Sequence, residues 1–242
     1  MISDIMNKIG NKIKILLWPE VCPFCQRAWR DGICPDCQRL LEKLVVQEPR
    51  CMQCGKPVRS GTQEYCYDCM HTHHHYDRGV SLWYHRPPVS TSIYQFKYHN
   101  RRVYGACYAK EILRQYQRIV KRWDPDVIIP IPLHKRRRRR RGYNQAQILA
   151  EELGRMLGIP VDDTHMIRRR YTVPQKQLGH GTRKRNLKGA FALRPGFDPV
   201  HTALVVDYIY TTGSTIDAAA EILKKAGVEK VFFLTISIGQ GY

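Results

Sequence analysis

Eight of the nine cysteines fall in four C-x-x-C pairs: Cys22/Cys25, Cys34/Cys37, Cys51/Cys54 and Cys66/Cys69. Two thiolates three positions apart on a tight turn can ligate one tetrahedral ion, and two such knuckles close a four-cysteine zinc site with Zn–S distances of about 2.3 Å. Pro23, Pro35 and Gly55 stand in or just after the knuckles, where the backbone must turn sharply. A disulfide framework would need an oxidising compartment, which nothing in the chain announces. Four redox pairs crowded into one short stretch are also a poor fit. Two structural zinc ions are therefore expected. Eight residues separate the first two pairs and eleven the last two, so sequential pairing is simplest, with interleaved pairing left open. The ninth, Cys107, is expected on a helix as a small buried hydrophobe. His71, His73, His74 and His75 follow the last knuckle and read as a solvated loop, since Cys69 already completes four ligands.

A second chemistry lies near the other end. Val205-Val206-Asp207-Tyr208-Ile209-Tyr210 runs into Thr211-Thr212-Gly213-Ser214-Thr215. Closely spaced hydroxyls and backbone N–H groups, with a glycine to admit close approach, make a phosphate cradle at a helix N-terminus. Asp207, at the strand end, is placed to accept hydrogen bonds from sugar hydroxyls. The plainer account is a capped strand–turn–helix with Thr212 or Ser214 as N-cap.

These groups need elements to hold them. Helical spacing covers residues 102–123, 144–157 and 214–226, ended by Asp124-Pro125, Gly158 and Gly227 respectively. The runs at 127–133, 203–206 (all apolar) and 231–236 read as buried strands without alternation. Strands of that kind between helices indicate an α/β fold, a parallel doubly wound sheet whose ligands bind at the C-terminal strand ends. At 242 residues the chain divides into residues 1–75, an amphipathic helix with the cysteine module, and residues 76–242, the α/β domain. The leading helix carries Ile2, Ile5, Met6, Ile9, Ile13, Leu16 and Leu17 on one face, for packing or for a membrane surface.

With 40 Lys and Arg against 21 Asp and Glu, the net charge is +19, and 43% hydrophobic residues exclude a disordered basic tail. No apolar run is long enough for a membrane span or a signal-peptide core, so a cytosolic protein with an anionic partner is expected. Lys135, Arg136, Arg137, Arg138, Arg139, Arg140 and Arg141 are consecutive, and further clusters stand at 168–170 and 183–185. Such runs are commonly solvated loops, but together they suit phosphate neutralisation along single-stranded DNA. Residues 93–102 interleave Tyr94, Phe96 and Tyr98 with Lys97, Arg101 and Arg102. The segment is either a surface for stacking unpaired bases or a strand with those three rings on one face.

The 205–215 segment resembles the motif for phosphoribosyl pyrophosphate (PRPP) in type I phosphoribosyltransferases. Several features, in order, resemble the ComF (ComFC-like) family: the paired cysteine knuckles, Ile129-Pro130-Ile131-Pro132-Leu133-His134, Arg141-Gly142-Tyr143-Asn144-Gln145-Ala146, and Gln177-Leu178 followed by Arg183, Asn186, Leu187, Ala190 and Phe191. The resemblance implies a double zinc ribbon joined to a phosphoribosyltransferase-like domain. Thr211, Thr212, Gly213, Ser214 and Thr215 would hold the 5′-phosphate of PRPP, with Asp207 on a ribose hydroxyl. Ile131, Pro132 and Leu133 would lie beside the pyrophosphate, and Mg²⁺ would be held mainly by PRPP oxygens. Arg141 is one candidate to stabilise the leaving pyrophosphate. The implied role is handling of single-stranded DNA during natural transformation, with a ComF-type helicase and other uptake proteins as partners and membrane association through them. An active phosphoribosyltransferase with an unknown acceptor is the alternative. The family's second acidic residue is Tyr208 here, and losing one charged acceptor costs roughly 1.5–3 kcal/mol, about ten- to hundredfold in affinity.

Overall fold

The two longest apolar runs form the centre of the sheet. In the computed structural model, which describes residues 20–170, 187 and 189–239, β5 (Thr202–Tyr210) and β6 (Lys230–Ile238) pair in parallel. β1 (Arg78–Tyr84) adds to β6 and β2 (Val127–Pro130) to β5, also in parallel, giving the order β1-β6-β5-β2. Alternate residues of these strands feed separate cores. Leu204, Val206, Leu234 and Ile236 face Ile112 and Tyr116 of α4 (Tyr104–Trp123) and Leu149 and Leu153 of α6 (Gln145–Leu157). On the other face, Ala203, Val205, Val231 and Phe233 meet Ile216, Ala219, Ala220 and Leu223 of α7 (Ser214–Lys225). The sheet is thus parallel and covered on both faces, as the unalternating strands require.

Local chemistry sets the helix ends. The Asn144 side chain accepts the Ala146 N–H at 3.2 Å, and Gly158 closes α6 at φ +74°. Asp124 ends α4 in the left-handed region, with Pro125 next. Several elements were not read from the sequence, β1 among them. The 93–98 segment belongs to a helix, α3 (Val89–Tyr98), whose Val89, Ser92, Ile93 and Phe96 are buried while Tyr94 and Tyr98 remain exposed. The strand alternative is therefore wrong: Phe96 does not share a face with the two tyrosines. The arginine run is itself a short helix, α5 (Lys135–Arg141), capped by His134, whose ring accepts the Arg136 N–H. A separate antiparallel pair, β3 (Met166–Arg168) and β4 (Phe191–Leu193), completes the set. The expected amphipathic helix of residues 1–19 and the 177–186 motif, including the 183–185 cluster, lie outside the described residues. Among the described residues no helix is long and apolar enough to cross a membrane.

The cysteine knuckles straddle the edge of the sheet. Cys34 and Cys37 sit at the start of α1 (Pro35–Glu42), and Cys66 and Cys69 at the start of α2 (Tyr67–His71). The first ribbon joins the α4 side, where Phe24 meets Trp83 edge-on at 5.4 Å. The second joins the α7 side, with Cys51, Cys54 and Cys66 in the same cluster as Phe233. Between them residues 44–46 run antiparallel to β1, with the Val46 N–H donating to Leu82 O at 3.0 Å and the Tyr84 N–H to Leu44 O at 2.9 Å. Docking of the second ribbon needs two glycines. Gly55 has φ +70°, a Cβ there would lie 2.6 Å from Gly79 O, and the Gly79 N–H donates to Gln53 O at 2.8 Å.

Each ribbon fits zinc. The sulfurs of Cys22, Cys25, Cys34 and Cys37 lie within 4.8 Å of one another, as do those of Cys51, Cys54, Cys66 and Cys69. Four sulfurs about 2.3 Å from a tetrahedral ion stand about 3.8 Å apart; Cys25–Cys34 is 3.7 Å and Cys54–Cys66 3.5 Å. Arg27 directs N–H groups at Cys25 and Cys34, a counter-charge suited to a tetrathiolate centre. The pairing is sequential. Cys107 lies apart, half-buried on α4, its thiol pushed up to about 12 by burial.

Because each cluster is woven into a different core, Cys66→Ser is expected to lower bound zinc from two ions per chain to one. Elemental analysis of the purified variant, with thermal unfolding alongside, checks this: a content still at two, or an unchanged melting temperature, contradicts the arrangement.

Candidate functional site

The carboxyl ends of β1, β2 and β5 open into a cleft of about 620 Å³, walled by α3 on one side and α5 on another. Asp207 and Tyr208 lie where β5 reaches it. Asp207 is only 7% exposed, and its Oδ1 accepts the Tyr208 N–H at 2.8 Å. Burial pushes its carboxyl up to about 6, against the opposing pull of that N–H and of Lys97, Arg168 and Arg141. Tyr208 is half-buried, with the Lys97 ammonium 4.7 Å from the centre of its ring.

Thr211, Gly213, Ser214 and Thr215 line the cleft, while Thr212 is buried and bonded to the Ser214 hydroxyl at 2.9 Å. The capping expectation fails for both residues. Gly213 is the N-cap of α7 at φ +76°, and no side chain caps that end. The start of this twelve-residue helix thus lacks a side-chain cap, and a helix N-terminus is a favourable place for an anion. Gly213 is also sterically required, since a Cβ would lie 2.5 Å from the Tyr210 phenol oxygen.

That phenol belongs to a network behind the loop. Tyr210 and Tyr76 share a 2.7 Å hydrogen bond between hydroxyls, and Tyr210 stacks on Phe233 at 4.9 Å. Asp217, in the first turn of α7, accepts the His75 N–H at 2.6 Å, and the His74 ring comes within 3.6 Å. Burial alone would raise the Asp217 carboxyl, but His74 and His75 hold it below the usual carboxylate range. His74, read as part of a solvated loop, is instead 6% exposed and stacked on Tyr76 at 4.8 Å. The histidine run next to the last knuckle was the only sequence signal for this network, and its partner lies 142 positions away.

On the opposite wall, the Ile131 N–H donates to Val206 O at 2.9 Å and its carbonyl accepts from Asn144 at 3.0 Å. Ile131 and Leu133 line the cleft, whereas Pro132 turns to a neighbouring groove of about 760 Å³ that Leu133 also borders. The basic residues divide the same way. Lys97, Arg137, Arg140 and Arg141 line the cleft; Lys135 and Arg138, with Arg169 and Arg194, line the groove; and Arg168 borders both. Arg101, Arg136 and Arg139 line neither. Arg102 is a fold contact, donating to Asn100 at 3.0 Å with its guanidinium 4.8 Å from the Tyr143 ring centre. Arg141 donates to Gln145 at 3.0 Å and sits 5.1 Å from the centre of the Tyr98 ring. Tyr94 and Tyr98 are 4.9 Å apart on the cleft wall. Five cations face one carboxylate here, which suits a polyanion carrying a planar or sugar moiety.

Residues 13–70 match the model of the double zinc ribbon domain. Over 207 residues the chain is 32% identical to Competence protein F of Haemophilus influenzae, covering 84% of this chain and 88% of that protein. It is 33% identical over 219 residues to the DNA utilization protein YhgH of Salmonella typhimurium, 89% of this chain and 93% of the relative. Competence protein ComFC of Bacillus subtilis matches at 24% over 81% and 80% of the two chains. A purine phosphoribosyltransferase structure from Pyrococcus horikoshii aligns over 52% of this chain and 69% of its own, at 19% identity and a TM-score of 0.33, too distant to argue from. Near-complete coverage at about a third identity, on a chain carrying both four-cysteine centres and the strand-end loop, leaves one assignment: the chain belongs to the ComF (ComFC-like) family.

Proposed function

We propose that this protein binds PRPP with Mg²⁺ and handles single-stranded DNA during DNA uptake, on the cytoplasmic side and in company with a ComF-type helicase and other uptake proteins. The observation that carries the reading is the single cleft shared by the 211–215 loop, Asp207 and four cations of α3 and α5. Relatives named for competence and for DNA utilization support it. In this reading the loop takes the 5′-phosphate, Asp207 a ribose hydroxyl, and the 131–133 segment flanks the pyrophosphate beside Arg141. Unpaired bases stack on Tyr94 and Tyr98, with Lys97, Arg137 and Arg140 neutralising phosphates at the mouth and Lys135 and Arg138 continuing along the groove.

A second reading, phosphoribosyl transfer to an acceptor, is favoured by the uncapped loop beside a buried carboxylate. Positioning and charge stabilisation of the departing pyrophosphate would supply the catalysis. Tyr208 weighs against it, since a phenol carries no charge near neutrality.

Calorimetric titration of the zinc-loaded protein with PRPP and Mg²⁺ tests the first reading. Asp207→Ala is expected to weaken binding at least tenfold, and Tyr208→Asp to tighten it by about ten- to hundredfold, the equivalent of roughly 1.5–3 kcal/mol. Absence of binding by both the natural chain and Tyr208→Asp would remove PRPP from the proposal. Acceptor-dependent pyrophosphate release would move the choice to the transferase.

Asp207 also gives a pH test. Its folded pKa of about 6 lies above the ordinary 3.8, so the fold favours the protonated acid. The contribution is fully present below pH 3.8 and is lost as pH rises through 6. Asp207→Asn, which cannot ionise, is therefore expected to gain stability relative to the natural chain between pH 4 and pH 8, by on the order of 2 kcal/mol. Denaturant unfolding across that range measures it; a difference that does not change with pH excludes a buried, reluctantly charged Asp207.

A further inference from the structure

The 211–215 loop is gripped on both of its flanks, and both grips come from the segment that directly follows the second ribbon. Upstream, the Tyr210 phenol sets the position of Gly213 and is itself held by Tyr76 at 2.7 Å. Downstream, Asp217 in the first turn of α7 is held by the His75 N–H at 2.6 Å, the His75 ring at 3.2 Å and the His74 ring at 3.6 Å. His74, His75 and Tyr76 form one continuous stretch that begins five residues after Cys69. The ribbon holds that stretch in return. Gln53, between Cys51 and Cys54, donates to Tyr76 O at 3.3 Å, and Lys56, paired with Asp68 of α2, lies 5.9 Å from the centre of the Tyr210 ring. Cys54 and Cys66 share a hydrophobic cluster with Tyr76, Tyr210 and Ile216. The first ribbon has no such path among the described residues: it packs with Phe24 and Trp83 against the opposite face of the sheet.

We infer that His74 and Asp217 are positioning residues that couple zinc at the Cys51/Cys54/Cys66/Cys69 centre to anion binding at the 211–215 loop. The inference rests on that loop being the anion site, as proposed above. A metal that fixes the ribbon fixes the flanks of the loop, which then needs no ordering when the ligand arrives. Linkage makes the effect reciprocal: a bound anion must hold zinc in the second centre by the same factor.

Two arms test it on the full zinc-loaded chain. In the ligand-free arm, hydrogen exchange is followed for peptides spanning 208–218. Cys69→Ser, His74→Ala and Asp217→Leu are expected to speed exchange there at least fivefold. Asp217→Asn, which keeps an oxygen acceptor, is expected to stay within twofold of the natural chain, and so are peptides of α6 in every variant. Unchanged exchange at 208–218 in His74→Ala and Asp217→Leu overturns the inference whether or not PRPP binds. In the second arm, chelator-driven loss of zinc is timed with and without saturating PRPP or inorganic pyrophosphate, and the freed cysteines are identified by alkylation and mass spectrometry. Coupling of ordinary size slows alkylation of Cys51, Cys54, Cys66 and Cys69 about fivefold or more. The first four cysteines should be unaffected. His74→Ala should retain two zinc ions and lose the difference. Equal slowing at both centres, or no slowing while titration shows the anion bound, overturns the coupling; failure of either anion to bind counts against the proposed function instead, and the exchange arm then decides.

Discussion

A parallel sheet must be covered on both faces, and among the described residues helices alone do not do it. α4 and α6 take one face, and α7 alone takes most of the other. The cysteine knuckles fill what is left, so Cys22, Cys34 and Cys37 are core residues on one side and Cys51, Cys54 and Cys66 on the other. Zinc ligation here replaces hydrophobic bulk. Small tetrathiolate units give rigid cover from few residues, where a short segment without metal could not offset its own conformational entropy. The same demand brings the second ribbon directly behind the strand-end loop, so the element that covers the sheet also shapes the site.

The electrostatics of the cleft follow from this placement. A carboxylate in the first turn of a helix normally favours the helix dipole but would repel an incoming phosphate. Asp217 occupies such a position, and it is engaged from behind, where the His75 N–H donates to it at 2.6 Å and the His74 ring lies 3.6 Å away. Asp207 meets the opposite fate. Five cations share its cleft, yet burial dominates and its proton is held unusually tightly. Anion attraction and a reserve of protonation thus coexist within one cavity.

Much of this was legible in the residues. The cysteine spacing gave two centres and favoured the pairing found, because a four-ligand site closes most simply on neighbouring knuckles. Asn144 and Gly158 marked the ends of α6 because capping is local chemistry. The unalternating strands and the 211–215 loop were equally plain. The strand alternative for 93–98 arose because Tyr94, Phe96 and Tyr98 alternate when the window begins at Ile93; including Val89 restores the helical spacing of Val89, Ser92, Ile93 and Phe96. His74 could not be recognised as buried, since what covers it comes from distant parts of the chain. The capping of α7 failed for a related reason: Gly213 took the position because Tyr210 leaves no room for a Cβ.

The covered sheet edges have one more implication. Residues 44–46 occupy the outer side of β1, and residues 160–162 pair with Ile128 on the outer side of β2. With both edges of the four-stranded sheet occupied, another chain cannot add itself there as an extra strand, and a recruit to that sheet must be recognised through side chains. The β1 seal, however, is the linker between the two metal centres. A chain made under zinc starvation would loosen that linker and bare a long apolar strand edge, so metal shortage would lead toward aggregation and quality control instead of a quiet loss of binding.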